Sequence, residues 1–141
     1  MAKRKKVTRS QIVAEARTWL NTPFHHQGRR KSVGVDCAGV VIGVANALGL
    51  SDFDTTDYAK SPSGDKMRQI LETHMDKIAV TDYQIGDVLH LVFDVEPQHV
   101  AIVSDIGIIH AYAQVRKCVE TSLDMTWQKR IRGAYRFKGV V

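Results

Sequence analysis

Apolar residues recur at helical spacing in the first half of the chain and at strand spacing in the second. Thr8 and Gln11 stand at the spacing of a capping box, and Ile12, Ala16 and Leu20 then line one helical face with Val13 beside them. An amphipathic helix is predicted there, ending near Asn21-Thr22-Pro23. From Phe24 to Val35, polar, aromatic and glycine residues follow without period, which predicts a loop bearing His25 and His26. Loops of this kind often line sites. Ala38 to Leu48 is apolar on every side except at Asn46, and Gly49 follows as a natural stop, the pattern of a central buried helix. Cys37 opens it, directly after Asp36. Ser63 to Met75 predicts another helix, with Met67, Ile70, Leu71 and Met75 on one side.

Beyond the Gly86-Asp87 turn the pattern changes to short runs rich in Val, Ile and Tyr: Val88 to Phe93, His99 to Ser104, Ile108 to Ala113, Cys118 to Thr121 and Ala134 to Phe137. Helices first and strands afterwards, with connections too short for crossover helices, predict an α+β fold in which N-terminal helices pack on an antiparallel β-sheet. At 141 residues the chain is long enough for one core without help from disulfides or metal. The expected division is a flexible basic N-terminus over residues 1–7 and a single domain over residues 8–141.

Charge and cysteine content narrow the setting. Ala2-Lys3-Arg4-Lys5-Lys6 is followed by Val7-Thr8-Arg9-Ser10-Gln11 and not by an apolar stretch, so it is not the start of a secretory signal peptide. No segment is long and apolar enough to span a bilayer. The expectation is a protein made and folded in the cytoplasm. The net charge of +5 gives a solvated surface and favours anionic partners such as cell-wall polymers or nucleic acid. Nucleic-acid binding has no motif to support it, and neither nucleic acid nor membrane is expected as a partner. Cys37 and Cys118 lie in unlike contexts, and a disulfide between them is not expected.

Candidate chemistry centres on Cys37. A cysteine in the first turn of a buried helix meets unpaired backbone N–H groups and the positive end of the helix dipole, which stabilise a thiolate and can face an oxyanion. The bland alternative is a small buried apolar residue. His99 opens one predicted strand and His110 lies in the next. A hairpin can bring the two imidazoles to one face, one to take the thiol proton and one to orient it.

These residues carry a family resemblance. Gly34-Val35-Asp36-Cys37-Ala38-Gly39-Val40-Val41 resembles the NlpC/P60 nucleophile motif, commonly Asp-Cys-Ser-Gly-Leu-Val. Ile85-Gly86-Asp87-Val88-Leu89 is similar to the family's Pro-Gly-Asp-Leu-Val strand opening, and His99-Val100-Ala101-Ile102-Val103 to its histidine strand. Ile109-His110-Ala111 resembles the element bearing its third polar residue, and Thr22-Pro23-Phe24-His25-His26-Gln27-Gly28 the Pro-Tyr-x-Trp-Gly-Gly wall of the cleft. The resemblance implies a papain-like α+β fold and a cysteine peptidase with Cys37, His99 and His110 as catalytic residues and no metal or cofactor. It implies hydrolysis of peptidoglycan stem peptides, commonly at D-glutamyl–diaminopimelate bonds. Asp36, Phe24, His26 and Gln27 fall at substrate-binding positions. With His-Gln-Gly in place of Trp-Gly-Gly, the chain looks most like tail-associated cell-wall peptidases of phages and phage-derived particles. The implied setting is a virion tail delivered to the cell wall, with tail or baseplate proteins as partners.

Two departures bear on the site. Phe24 stands where the family often has a Tyr, and a phenyl ring cannot donate a hydrogen bond. Ala38 replaces the usual Ser. Asp36 has two readings, a reader of the substrate's amine or a helix cap. Among rival functions, a metal site built from His25, His26, His90, His99, His110 and Cys37 lacks the tight pairs zinc proteins show. Lipid acyl transfer lacks a membrane helix. A structural or assembly component of a phage tail with the same fold and little activity is the alternative from another class. One geometric demand follows from strand alternation: for His110 to share a face with His99, the residue opposite it must be an even number of positions from His99, so the intervening loop must be even in length. Local turn preference favours a three-residue loop, Asp105-Ile106-Gly107, whereas the catalytic reading requires two residues.

Overall fold

The computed structural model describes residues 6–58, 66–93 and 99–141. Its first helix, α1 (Arg9–Arg17), starts with the capping box read from the sequence: Thr8 accepts from the Gln11 N–H, and Gln11 reaches back to the Thr8 N–H. Helix α1 ends before Leu20, and a tight turn carries Trp19 into the core. The segment predicted as loop contains a small antiparallel hairpin, β1 (Arg29–Arg30) with β2 (Gly34–Val35). Helix α2 (Cys37–Ala47) follows, capped by Asp36. It packs closely against α1, since a Cβ at Gly43 would stand 2.3 Å from the Trp19 ring. Helix α3 covers Lys66–His74; the expected start at Ser63 lies outside the described residues. Val7, which the sequence places in the basic N-terminal segment, is buried and bridges to Val140.

The second half forms a six-stranded sheet of order β3-β8-β4-β5-β6-β7. Its strands are β3 (Asp76–Ile78), β4 (Val88–Leu91), β5 (His99–Val103), β6 (Gly107–Tyr112), β7 (Lys117–Ser122) and β8 (Ile131–Arg136). All pairings are antiparallel, as expected. Strand β3 was not foreseen, nor was the short helix α4 (Met125–Gln128), which Asp124 caps. Alternation along the strands divides the core in two. Val88, Val100, Ile102, Ile109 and Ala111 pack with Val40 and Val44 of α2. Leu89, Leu91, Ala101, Val103 and Ile108 face the other way, under Phe93 and Trp127.

Asp87, the acid of the Gly86-Asp87 turn, is fully buried and ties this sheet to α1. Its Oδ1 accepts from Arg9 and Arg136 at 3.0 Å each, and its Oδ2 accepts from Arg136 and the Gln84 N–H at 2.9 Å each. Removing one partner of a buried ion pair leaves the others with unmet charge, and the half-exposed arginines limit that cost. Asp87→Ala should therefore lower stability by about 2–3 kcal/mol, measured as a shift of the urea midpoint at constant slope; a shift near zero would show that the cluster is ornamental.

Candidate active site

The hairpin β5–β6 has the even register. Ile102 opposes Ile109 and Val103 opposes Ile108, the register in which His99 and His110 fall on one face. The loop is the two-residue Asp105-Ile106, closed by the Ser104 N–H on the Gly107 carbonyl. Neither loop residue adopts a positive φ, unlike the primed turns most hairpins use. Ser104 explains how: its Oγ accepts from both Ile106 and Gly107 N–H groups and donates to Glu120. A side chain thus supplies what the local turn preference would have sought from a glycine bulge.

His99 and His110 consequently meet on one face. His99 Nε2 lies 2.6 Å from His110 Nδ1, and His110 Nε2 lies 3.0 Å from Thr121 Oγ1 on β7. Phe93, Tyr112 and Trp127 enclose the pair, with ring centroids 5.1 Å from His99 for Phe93, 5.3 Å from His110 for Tyr112, and 5.0 Å from His110 for Trp127. Both histidines are buried, His99 at 3% exposure and His110 at 0%. The His99 ring nitrogen in this bond is Nε2, so Nδ1 is its other ring nitrogen. Burial, and then the neighbouring His110, His90 and Arg130, push the His99 pKa well below its usual value. Burial alone brings His110 down to about 4. At neutral pH both rings are neutral. If His99 donates from Nε2 and His110 donates from Nε2 to Thr121, every proton in the chain is used and His99 Nδ1 is left as a bare lone pair. Thr121 was not anticipated, since its approach to His110 depends on the β6–β7 register.

Cys37 occupies the first position of α2 and is partly buried. Bridges and ring contacts bring the segment before α2 to the sheet end where β5 begins, while strand alternation sets His99 and His110 on the face that Phe93 and Trp127 cover. Val35 bridges to Phe24, Pro23 bridges to Lys117, and Lys117 opposes Tyr112, whose ring centroid lies 6.0 Å from that of His99. Helix α2 packs along β5 and β6. The hairpin backbone lies directly on the first turn: a Cβ at Gly39 would stand 2.5 Å from the Gly28 carbonyl oxygen, so only glycine fits there. Cys118, by contrast, is fully buried in the core, its thiol pushed up to about 12 by burial, and the two cysteines form no disulfide.

Of the two readings of Asp36, the geometry favours the cap. Its carboxylate is 3% exposed. Oδ1 accepts from the Gly39 N–H at 2.8 Å and Arg29 at 3.1 Å; Oδ2 accepts from the Gln27 N–H at 2.8 Å and the Tyr58 hydroxyl at 2.7 Å. These donors fill the carboxylate and leave no lone pair for a substrate amine. Gln27 is similarly engaged: its side-chain amide donates to the Thr56 and Tyr58 carbonyls. His26 remains partly exposed, 3.9 Å from Asp36 and edge-on to Tyr58. Phe24 packs its half-buried ring against the helix-side core. Tyr58 was missed by the sequence reading; it brings a phenol to this corner, where Phe24 has none, and burial raises its pKa above the ordinary range. Among the described residues no three His, Cys, Asp or Glu side chains converge to hold a metal ion, and no helix is long and apolar enough to cross a membrane.

No family model and no curated protein matches the sequence. Solved structures do match. The NlpC/P60 domain of the peptidoglycan hydrolase SagA aligns with 92% of this chain and 98% of its own, at TM-score 0.66 and 27% identity. An NlpC/P60 family protein of Bacillus cereus aligns with 96% of this chain at TM-score 0.71 and 19% identity. A lipoprotein-like NLP/P60 family protein of Staphylococcus aureus aligns with 92% at 0.66 and 21%. This chain spans only 42% and 41% of the latter two. The fold is that of NlpC/P60 domains.

Because the imidazoles are held neutral, their contribution to stability has a definite sign. Their folded-state pKa values lie below the ordinary 6.5, so the unfolded chain takes up protons that the folded one resists, and stability is lost as pH falls from about 6.5 towards 4. Carboxylates held low by Arg17, Asp105 and Glu120, also release stability in acid, so a variant is needed to separate them. His110→Gln should flatten the fall in unfolding free energy by up to roughly 3 kcal/mol at pH 4, measured by urea titration at a series of pH values. Parallel curves for the two proteins would assign the acid lability to other groups.

Proposed function

We propose that this protein is a cysteine peptidase of the NlpC/P60 type that hydrolyses amide bonds in peptidoglycan stem peptides. One observation carries the reading: His99, His110 and Thr121 form one hydrogen-bonded chain, and with a proton on Nε2 of each ring His99 Nδ1 is free to act as a base. In the mechanism, His99 Nδ1 takes the Cys37 thiol proton, and the thiolate attacks the amide carbonyl carbon. The backbone N–H groups at the start of α2 face the developing oxyanion, aided by the helix dipole. The His99 imidazolium, stabilised through His110, returns its proton to the leaving amine. Water, deprotonated by His99, then attacks the thioester and releases the carboxylic acid. Phe93, Tyr112 and Trp127 keep bulk water from the His99–His110 bond.

The solved domain of a peptidoglycan hydrolase that aligns over almost its full length supports the substrate class, and the chain's positive charge suits an anionic polymer. Within that class we propose the D-glutamyl–diaminopimelate bond. A phage-type tail is the proposed setting, on the resemblance of the segment Thr22 to Gly28; co-purification with tail particles checks it.

Purified protein incubated with defined muropeptides should release the stem fragments, identified by mass. Cys37→Ser should abolish cleavage with the fold intact, and Cys118→Ser should change it little, since that thiol is sealed in the core. His99→Ala should lose roughly 10²–10⁴-fold in rate, and His110→Ala less. Full turnover by Cys37→Ser would end the reading, as would near-normal turnover by His99→Ala.

A further inference from the structure

Arg130 lies in the turn between α4 and β8, fixed at both ends of its peptide unit. Its N–H donates to the Trp127 carbonyl, and its own carbonyl accepts from the Val92 N–H. The half-buried side chain lays its guanidinium 4.7 Å from the Phe93 ring centroid and 4.8 Å from that of Trp127. These two rings also wall the histidine pair, with Trp127 edge-on to Phe93 at 5.5 Å. Arg9, Arg17, Arg29 and Arg136 each grip a carboxylate. Among the described residues Arg130 grips no carboxylate, and its guanidinium stacks on the Phe93 and Trp127 rings.

A guanidinium stacked on rings keeps its N–H edges directed outward in a fixed fork, the geometry that takes a carboxylate through two parallel hydrogen bonds. Its position also opposes the reaction when empty. His99 must become positive during catalysis, and the Arg130 charge disfavours that state. An anion docked on Arg130 would cancel the penalty. We propose that Arg130 is a specificity-determining residue that binds a free carboxylate of the stem peptide beside the scissile amide. Occupation of this fork then favours the protonation of His99 that the reaction needs, so recognition and catalysis are coupled. The charged and titratable groups facing His99 in this coupling are His110 and Tyr112 on β6, His90 on β4, and Arg130 itself.

The inference rests on the proposed peptidase reading, so its test separates binding from turnover. The probes are two synthetic γ-D-glutamyl peptides, one with the glutamyl α-carboxylate free and one with it converted to the primary amide. Dissociation constants are measured on Cys37→Ala protein by titration calorimetry, and cleavage is measured on the protein with Cys37 intact. The free acid should bind at least 10-fold tighter than the amide. Arg130→Gln should erase the difference, and Arg130→Lys should restore part of it. In turnover, Arg130→Gln should raise KM for the acid at least 10-fold. It should also move the acid limb of the kcat profile, where a merely structural loss would not. Equal affinity for acid and amide, no saturable binding of either, or a preference surviving in Arg130→Gln would overturn the assignment. Discrimination in binding without any cleavage by the intact protein would uphold the carboxylate site and count against the peptidase reading.

Discussion

The hydrogen bond between His99 Nε2 and His110 Nδ1 is the constraint on which the rest of the site depends. A 2.6 Å bond between two buried imidazoles requires one to donate and the other to accept, so neither can be charged without cost. It can form only if β5 and β6 pair in even register. That register in turn depends on the Asp105-Ile106 turn, whose backbone donors Ser104 satisfies. Thr121 completes the chain from the neighbouring strand, and α4, though a single turn, brings Trp127 over it. Strand pairing, turn closure and aromatic packing all converge on this one histidine pair.

On the nucleophile side, the equivalent constraint is Asp36. Four donors from three separate stretches of chain meet on its carboxylate: Gly39 of α2, Arg29 and Gln27 of the hairpin region, and Tyr58 of the extended segment beyond α2. Arg29 further holds Asp54 and the Thr55 carbonyl. The start of α2 is thereby clamped, and the negative charge beside Cys37 is offset by Arg29. An uncompensated carboxylate there would oppose thiolate formation, so the arginine serves geometry and electrostatics together.

Much of this was legible in the sequence where a signal is local or periodic. The capping box of α1, the all-round apolar α2 and the alternating strands identify themselves because neighbours in sequence supply their partners. The shared face of His99 and His110 followed from strand alternation and the family resemblance, against a local turn preference that looked the other way. What stayed hidden depends on distant partners. The strands β1, β2 and β3 and helix α4 are too short to carry a period, and tertiary pairing makes them. Thr121 and Tyr58 read as ordinary polar residues until the sheet and the Asp36 cluster bring them to their partners. Asp36 and Gln27 sit at substrate-binding positions by resemblance, yet most of their hydrogen-bonding capacity is spent within the chain.

The proposed mechanism requires an unprotonated Nδ1 on His99, with the Nε2 proton shared with His110. Nitrogen-15 chemical shifts of the two imidazoles at pH 7, assigned through His99→Ala and His110→Gln, test this directly. The account predicts two neutral rings, each protonated at Nε2, with the His99 Nδ1 signal in the range of a bare ring nitrogen. A His99 ring carrying its proton on Nδ1 would contradict it.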